Sequence, residues 1–286
     1  MAKKVLITGA NSGIGIASLR TFMLDGWDVT ATVRSDARAA ELGDLLRDEG
    51  LAAEIVLCDL SDRRATDTAV ATILQGGVPD VIVNNAAATV FGPVELADDA
   101  SIDLQFETNL VGPLRLLRGL IPHFRVRGSG AIVNLSSAWG FTAQECVGLY
   151  AASKHAIEAV SEALYYELQP FNVRVAIVEP GRTATSAREK LLLTPGFGPG
   201  TPYWGAFAER NALLDTTIWK DGWAEDPRTV ANTIFAAATT STPALRWLVG
   251  RDTQLVARLR GRDALDTYDE RSLQALRELA DPAKAE

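Results

Sequence analysis

Seven short apolar segments, separated by longer segments with apolar residues at helical spacing, limit this chain to few folds. The apolar segments cover residues 5–7, 27–33, 53–58, 80–84, 131–135, 174–178 and 245–249. Helices are predicted over residues 14–25, 36–48, 98–125 and 150–168, and after residues 61 and 226. A helix between successive strands makes the strands parallel, because a parallel pair needs a long, right-handed crossover. The pattern predicts a doubly wound α/β fold, with a seven-stranded, mostly parallel sheet and helices on both faces.

The chain contains neither an internal repeat nor a low-complexity linker, and we expect residues 1–286 to form a single domain. One irregular region, residues 183–225, is rich in Gly, Pro and Trp and includes the run Pro195–Gly200. It is predicted to be an insertion at the mouth of the site. Residues 251–286 have leucines at helical spacing and are predicted to form a helical tail.

Charge and cysteine content exclude several classes of protein. The 28 Lys and Arg residues against 36 Asp and Glu give a net charge of −8, which disfavours nucleic acid and anionic membranes. Cys58 and Cys146 lack partners at metal-binding spacing, so neither a metal site nor a disulfide framework is expected, and a reduced cytoplasm fits. No apolar run approaches the roughly 18 residues of a membrane helix.

A glycine-rich segment, Thr8–Gly15, connects the first predicted strand to its helix. Glycine there allows a tight turn and a close backbone approach, while the amides at the helix N-terminus can receive a pyrophosphate. The segment predicts a dinucleotide site, and its candidate contacts are Gly9, Ser12, Gly13, Ile14 and Gly15. The alternative is a glycine-rich turn that binds nothing.

The residue after the second strand, Arg34, indicates which dinucleotide binds. An acidic residue at this position binds the ribose diol of NAD, whereas a basic one meets the 2′-phosphate of NADP. The guanidinium of Arg34 offers a planar fork to that phosphate. NADP is therefore predicted over NAD, although an Arg that is merely solvated is the alternative.

Tyr150 and Lys154 lie four residues apart, which places them on one face of the helix predicted over residues 150–168. A cation beside a phenol lowers the phenol pKa, so Lys154 and the positive nicotinamide of an oxidised cofactor are expected to bring Tyr150 toward working pH. Tyr150 is then a candidate general acid and base. Such a pair alone is a weak signal.

The glycine spacing of residues 8–15 and the Tyr150–Lys154 pair together resemble the short-chain dehydrogenase/reductase family, single-domain type. The resemblance covers about residues 3–250 and implies a Rossmann-like fold. Residues 245–252 are similar to the corresponding part of 17β-hydroxysteroid dehydrogenase-like members. Ser137, thirteen residues before Tyr150, matches the family's catalytic serine spacing and is preferred over Ser136.

The resemblance also implies roles for further residues. Asn109 matches the fourth catalytic position, which supports a water chain to Lys154. The implied cofactor contacts, beyond the glycine segment and Arg34, are Asp59, Leu60, Asn85, Ala86, Tyr150, Lys154, Pro180, Gly181, Thr183 and Thr185. This chain departs from the family pattern at Ala87, where glycine is usual, and at Arg182 and Thr183.

The implied reaction is hydride transfer between NADP(H) and a carbonyl or alcohol carbon, with Tyr150 exchanging the proton. A pocket walled by aromatic residues predicts a hydrophobic ketone, aldehyde or secondary alcohol, although the same residues could instead pack within a lid. These residues are Trp139, Phe141, Trp204, Phe207 and Trp219. A non-catalytic NADP sensor or scaffold and an epimerase or dehydratase are the alternatives. A homodimer or homotetramer is expected by analogy.

Overall fold

The computed structural model describes residues 2–187, 189–216, 224–241 and 244–260, in which strands alternate with helices. In chain order the strands are β1 (Lys4–Thr8), β2 (Asp28–Val33), β3 (Glu54–Leu57), β4 (Val81–Asn84), β5 (Val90–Phe91), β6 (Gly130–Leu135), β7 (Val173–Pro180), β8 (Leu192–Leu193) and β9 (Arg246–Val249). The helices are α1 (Gly13–Leu24), α2 (Asp36–Asp48), α3 (Arg63–Gly76), α4 (Asp99–Phe106), α5 (Gly112–Arg127), α6 (Gly148–Leu168), α7 (Trp204–Thr216), α8 (Pro227–Thr239) and α9 (Arg251–Leu259).

Seven of these strands form one sheet in the order β3-β2-β1-β4-β6-β7-β9, and every neighbouring pair is parallel. The order runs outward from β1 to β3 and then restarts with β4 on the other side of β1. This reversal opens a crevice beyond the carboxyl ends of the strands, where doubly wound sheets bind their ligands. The predicted fold is confirmed.

Apolar side chains fill both faces of the sheet. One cluster, which includes Phe22, Leu42 and Ile234, lies between the sheet and helices α1, α2 and α8. The other, which includes Leu116 and Phe124, lies between the sheet and helices α3, α5 and α6. Central strands are thus covered on both sides, which explains their continuous apolar sequences. Within the described residues, no helix has the length and apolar character needed to cross a bilayer.

The helix predicted over residues 98–125 is interrupted. It consists of α4, a wider helical turn over Glu107–Val111, and α5. Single wide turns of this kind occur often at functional sites, and they leave no trace in hydrophobic spacing. Helix α6 begins at Gly148, two residues before the predicted start.

The irregular region after residue 183 contains β8 and α7. Strand β8 pairs in parallel with β5, so this two-stranded sheet ties the region to the segment that follows β4. Neither two-residue strand was predicted. Trp219 and the tail after residue 260 lie outside the described residues.

Candidate active site

The glycine segment forms a tight loop between β1 and α1. Gly9 has a φ of +62°, and a β-carbon at this position would lie 2.8 Å from the Cα of Ala86. Ser12 caps α1, because its hydroxyl accepts a hydrogen bond from the Gly15 N–H at 3.0 Å. The N–H groups of Gly13 and Ile14, the first two residues of α1, have no acceptor within the helix and can bind an anion. The loop therefore has the features that a dinucleotide pyrophosphate requires.

Asn85, directly after β4, holds this loop in place. Its side-chain amide donates to Thr8 O at 2.8 Å, Gly9 O at 3.0 Å and Ser12 Oγ at 3.1 Å. The backbone N–H groups of Asn85 and Ala86 both donate to the Thr8 hydroxyl at 3.0 Å. Asn85 and Ala86 thus lie against the glycine loop, as their assignment to the same site requires. Ala87, the departure from the family pattern, is exposed.

Arg34 follows β2 directly and its side chain is exposed. Ser35, the next residue, is the N-cap of α2, yet its side chain makes no capping hydrogen bond. The guanidinium, the hydroxyl and the α2 N-terminus could together hold a phosphate. Ser35 was missed in the sequence, although a serine immediately before a predicted helix is a recognisable signal.

Asp59 and Leu60 follow β3 at the same edge of the sheet. The Asp59 carboxylate accepts hydrogen bonds from the Ser61 N–H at 3.0 Å and the Ser61 hydroxyl at 2.7 Å. The Leu60 side chain is buried. The predicted contact of these two residues with adenine stays a prediction.

The structure separates the roles of Ser136 and Ser137 at the end of β6. Ser136 is buried, whereas Ser137 is partly exposed and caps a short helical turn by accepting from the Trp139 N–H at 3.3 Å. The Ser137 hydroxyl also lies close enough to the Tyr150 hydroxyl to lower the pKa of the phenol. Ser137 is therefore the serine that can share a substrate oxygen with Tyr150.

Tyr150 and Lys154 lie on the same face of α6. The Lys154 Nζ is 5.7 Å from the centroid of the Tyr150 ring and donates a hydrogen bond to Leu135 O at 2.8 Å. Burial raises the pKa of Tyr150 to about 12, and the nearby Ser137 side chain opposes this rise. Burial lowers the pKa of Lys154 to about 8, opposed by the negative charge of Glu158.

Burial sets the pKa of Tyr150 in the structure, because loss of hydration outweighs the lowering by Ser137, and no lowering by Lys154 is seen. The lowering expected from a bound, positively charged nicotinamide stays a prediction.

Asn109 lies within the wide helical turn and is 3% exposed. Its side chain accepts from the Ala88 N–H at 2.7 Å and donates to Ala88 O at 3.0 Å and to the Ser153 hydroxyl at 3.0 Å. The Ser153 hydroxyl in turn donates to Tyr150 O at 2.8 Å. Asn109 thus joins the segment after β4 to the backbone at Tyr150, and its predicted water chain to Lys154 stays a prediction.

The loop after β7, Pro180 to Thr185, approaches the glycine loop. A β-carbon on Gly13 would lie 2.5 Å from Thr185 Cγ2. Thr183 forms an isolated parallel β-bridge with Glu225, so backbone pairing also holds this loop in place. The structure therefore brings together two loops that are about 170 residues apart and that were assigned to one cofactor.

Asp252, in the first turn of α9, also anchors this loop and was not identified from the sequence. Its carboxylate accepts from the Arg182 N–H at 2.7 Å and the Thr253 N–H at 2.8 Å. It packs so closely on Gly181 that a β-carbon there would overlap it. A single buried Asp has no sequence pattern of its own, and only its position after the last strand could have identified it.

A cavity of about 440 Å³ lies near the start of α6. It is lined by Pro93, Val94, Glu95, Glu145, Cys146, Pro202, Tyr203 and Ala206. Val94 also contacts Gly148 in the first turn of α6, since a β-carbon on that glycine would lie 3.0 Å from Val94 Cγ2. The cavity is thus close in the chain to Tyr150, and most of its lining is apolar.

The aromatic residues that were expected to wall a pocket are placed differently. Trp204 and Phe207 pack on Phe197, with ring centroids 5.4 and 5.2 Å from it. Phe141 is buried, and its backbone oxygen accepts a hydrogen bond at 3.3 Å from Nε of Arg260, the residue after α9. Trp204 and Phe207 therefore pack within the irregular region after residue 183, and their predicted role in a pocket wall stays a prediction.

Comparisons with known proteins agree with this fold. The family model described as short chain dehydrogenase matches residues 3–195. Mouse 17-beta-hydroxysteroid dehydrogenase type 1 is 30% identical over 271 residues, which cover 91% of this chain and 77% of the mouse protein. The fold and these relatives are those of an oxidoreductase. The chain belongs to the short-chain dehydrogenase family, as predicted.

Two solved structures extend the comparison. A short-chain dehydrogenase from Streptomyces avermitilis is 32% identical, with a TM-score of 0.79 over 96% of this chain and 98% of that one. A metagenomic short-chain oxidoreductase, solved in complex with NADP, is 26% identical, with a TM-score of 0.68 over 86% of this chain and 96% of that one.

Proposed function

We propose that this protein transfers hydride between NADP(H) and a hydrophobic ketone, aldehyde or secondary alcohol, with Tyr150 as the general acid and base. The observation that carries the proposal is the convergence of three side chains. The Ser137 side chain lies close enough to the Tyr150 hydroxyl to lower the pKa of the phenol, and the Lys154 ammonium lies 5.7 Å from the centroid of the same ring. One hydroxyl can therefore bind a substrate oxygen while the other exchanges a proton with it.

The chemistry divides between cofactor and protein. When bound, the nicotinamide supplies or accepts the hydride. Tyr150 donates its proton to the carbonyl oxygen in reduction and takes a proton from the hydroxyl in oxidation. Ser137 donates to the same oxygen and stabilises the negative charge that develops there. A pKa of about 12 keeps Tyr150 protonated at neutral pH, as reduction requires.

Lys154 and Asn109 have supporting roles in the proposal. Lys154 binds the ribose hydroxyls, and its charge favours the phenolate form of Tyr150 when oxidation produces it. Asn109 supports the water chain to Lys154. The loops carrying Gly9, Gly13 and Thr185 enclose the cofactor.

NADP is preferred over NAD in this proposal. Arg34 and the N-cap hydroxyl of Ser35 favour a 2′-phosphate, and a similar oxidoreductase was solved with NADP. Asp36 lies in the first turn of α2, two residues after Arg34. Because its carboxylate would repel a 2′-phosphate, it limits the preference for NADP over NAD.

We assign the substrate to the cavity whose lining is close in the chain to Tyr150, and this lining favours a neutral, hydrophobic molecule. Pro93, Val94, Pro202 and Ala206 supply an apolar lining, and Glu95 and Glu145 disfavour a substrate carboxylate. The name of the similar mouse protein points to a steroid, which is also neutral and apolar. A cytoplasmic homodimer or homotetramer without nucleic-acid or membrane partners completes the proposal.

The test combines cofactor titration with turnover. NADPH and NADH are titrated by fluorescence, and turnover is followed over aromatic, steroid and aliphatic carbonyls. Arg34→Leu is expected to weaken NADPH binding by roughly tenfold or more and to leave NADH binding unchanged. Tyr150→Phe is expected to lower kcat by about 10²–10⁴-fold while it still binds NADPH. Binding without turnover on any carbonyl or alcohol would favour the sensor alternative, and a native preference for NADH would refute the role given to Arg34.

A further inference from the structure

A row of charged side chains extends from the candidate site along the sheet-facing side of α6. Lys154, Glu158 and Glu162 follow one another at four-residue intervals, which places them on one helix face about 6 Å apart along the axis. Arg246, on the edge strand β9, reaches between the two carboxylates. Its Nε lies 3.6 Å from Glu158 Oε2 and its terminal nitrogen 2.6 Å from Glu162 Oε2. Along the row the charges alternate in sign.

The half of the row next to the site is withdrawn from solvent. Lys154 is 3% exposed and Glu158 6%, and the Arg246 side chain is 8% exposed, whereas the Glu162 side chain is 36% exposed. Buried charges are strongly unfavourable unless an opposite charge lies close by. The Lys154 ammonium therefore depends on Glu158 in a way that it does not depend on Glu162.

Other elements add polar groups around Glu158. Glu179 on β7 is fully buried, and its side chain lies on the same face of the sheet as Arg246, because Ile177 is the register partner of Arg246 and side chains alternate along a strand. Ser136 and Gly140 follow β6, and a β-carbon on Gly140 would lie 2.8 Å from Glu158 Oε1 and would overlap the Ser136 hydroxyl. Glu158 therefore lies against the segment after β6 as well as against Arg246 on β9.

We propose that Glu158 is a positioning residue that holds Lys154 in its ammonium form, and that Arg246 limits this effect by drawing on the same carboxylate. The proposal rests on the proposed function, in which Lys154 binds the cofactor ribose. Burial alone lowers the pKa of Lys154, and the charge of Glu158 opposes that shift. Glu158 therefore extends upward the pH range over which the ammonium is available.

The competing explanation is that the Glu158–Arg246 ion pair only stabilises the packing of β9 on α6, and the pH dependence of NADPH affinity distinguishes the two explanations. Loss of a purely structural ion pair would lower NADPH affinity by the same factor at every pH. Loss of a charge beside Lys154 lowers NADPH affinity only where Lys154 then loses its proton.

The experiment measures NADPH affinity by fluorescence from pH 6 to 9.5 in the native chain, Glu158→Gln and the control Glu162→Gln. Native affinity is expected to fall above pH 8, where Lys154 deprotonates. In Glu158→Gln the pH at the midpoint of this decline is expected to fall by about one unit. NADPH binding then becomes about fivefold weaker at pH 8 and is unchanged at pH 6. Glu162→Gln is expected to stay within about twofold of native at each pH. Variant-to-native ratios cancel the titration of the cofactor itself.

Arg246→Gln is expected to shift the pH midpoint in the opposite direction, upward, because it removes a positive charge beside Glu158. This variant provides the test if Glu158→Gln does not fold. An unchanged midpoint in a folded Glu158→Gln, a loss equal at all pH values, or a downward shift in Arg246→Gln would overturn the proposal. A native affinity without any decline above pH 8 would instead refute the role of Lys154 in the proposed function.

Discussion

The glycine loop and the lid, residues 192–216, are held by different kinds of contact. Asn85 donates hydrogen bonds to the backbone oxygens of Thr8 and Gly9 in the glycine loop. The neighbouring atoms leave no space for a side chain at the glycines of this loop. The lid instead rests on a two-residue strand pair and on rings packed around Phe197, and Leu192 and Leu193 remain 48% and 44% exposed. Contacts made by the backbone leave little room for amino-acid substitutions in the glycine loop, whereas the few side-chain contacts of the lid allow many. This difference suits a loop that binds one cofactor and a lid that adapts to different substrates.

Two helical glycines, one in each region, give the largest expected contrast. A β-carbon on Gly15 in α1 would overlap Gly9 O, whereas Gly205 in α7 has no atom within 4 Å of that position. Gly15→Ala is expected to lower the free energy of unfolding by about 1–3 kcal/mol and NADPH affinity at least about tenfold. Gly205→Ala is expected to change stability by less than about 1 kcal/mol, in the favourable direction. Thermal melts and NADPH titration measure both, and equal effects would remove the contrast.

Lys154→Met tests whether burial of the Lys154 ammonium lowers the free energy of unfolding while it supports NADPH binding. The folded pKa of about 8 lies below the unfolded value of 10.5, so the buried ammonium is unfavourable below pH 8. The shift corresponds to about 3 kcal/mol, and loss of the bond to Leu135 O offsets about 1–2 kcal/mol of it. We therefore expect Lys154→Met to be more stable than native at pH 7 and to bind NADPH more weakly.

The pH dependence of this difference follows from proton binding. Between pH 8 and 10.5 the unfolded state binds more protons at Lys154 than the folded state, so native stability rises relative to the variant. The advantage of Lys154→Met should shrink as pH increases through this window in denaturant titrations. An advantage that grows with pH would show that burial of the ammonium is not its source.

Phe197→Ala is expected to have the smallest effect on the fold and to act on the substrate side alone. Phe197 is buried beneath Trp204 and Phe207, and its loss loosens the lid. We expect KM for the carbonyl substrate to rise about tenfold, with stability lowered by less than about 1 kcal/mol because lid contacts open locally. Leu213→Ala, at a position 56% exposed on α7, is the control and should leave KM unchanged. A comparable loss of NADPH affinity in Phe197→Ala would show that the two regions are coupled.

The same contrast explains what the sequence could predict. The sheet and the glycine loop follow from local patterns, because buried strands, helical spacing and glycine turns each leave a signature over a few residues. The β5–β8 pair joins residues about 100 apart through two-residue strands, which have no measurable period. Asp252 and the Glu158–Arg246 pair likewise depend on contacts distant in sequence. The low pKa of Lys154 and the high pKa of Tyr150 both follow from burial, which local sequence patterns do not show.

The most direct test of the central claim follows the hydride itself. The native protein is supplied with NADPH that carries deuterium at C4 of the nicotinamide, together with a hydrophobic ketone, and the alcohol product is analysed by mass spectrometry. The account expects one deuterium on the carbinol carbon, and loss of this product in Tyr150→Phe. Tight binding of NADPH without deuterium transfer to any carbonyl of the panel would contradict it.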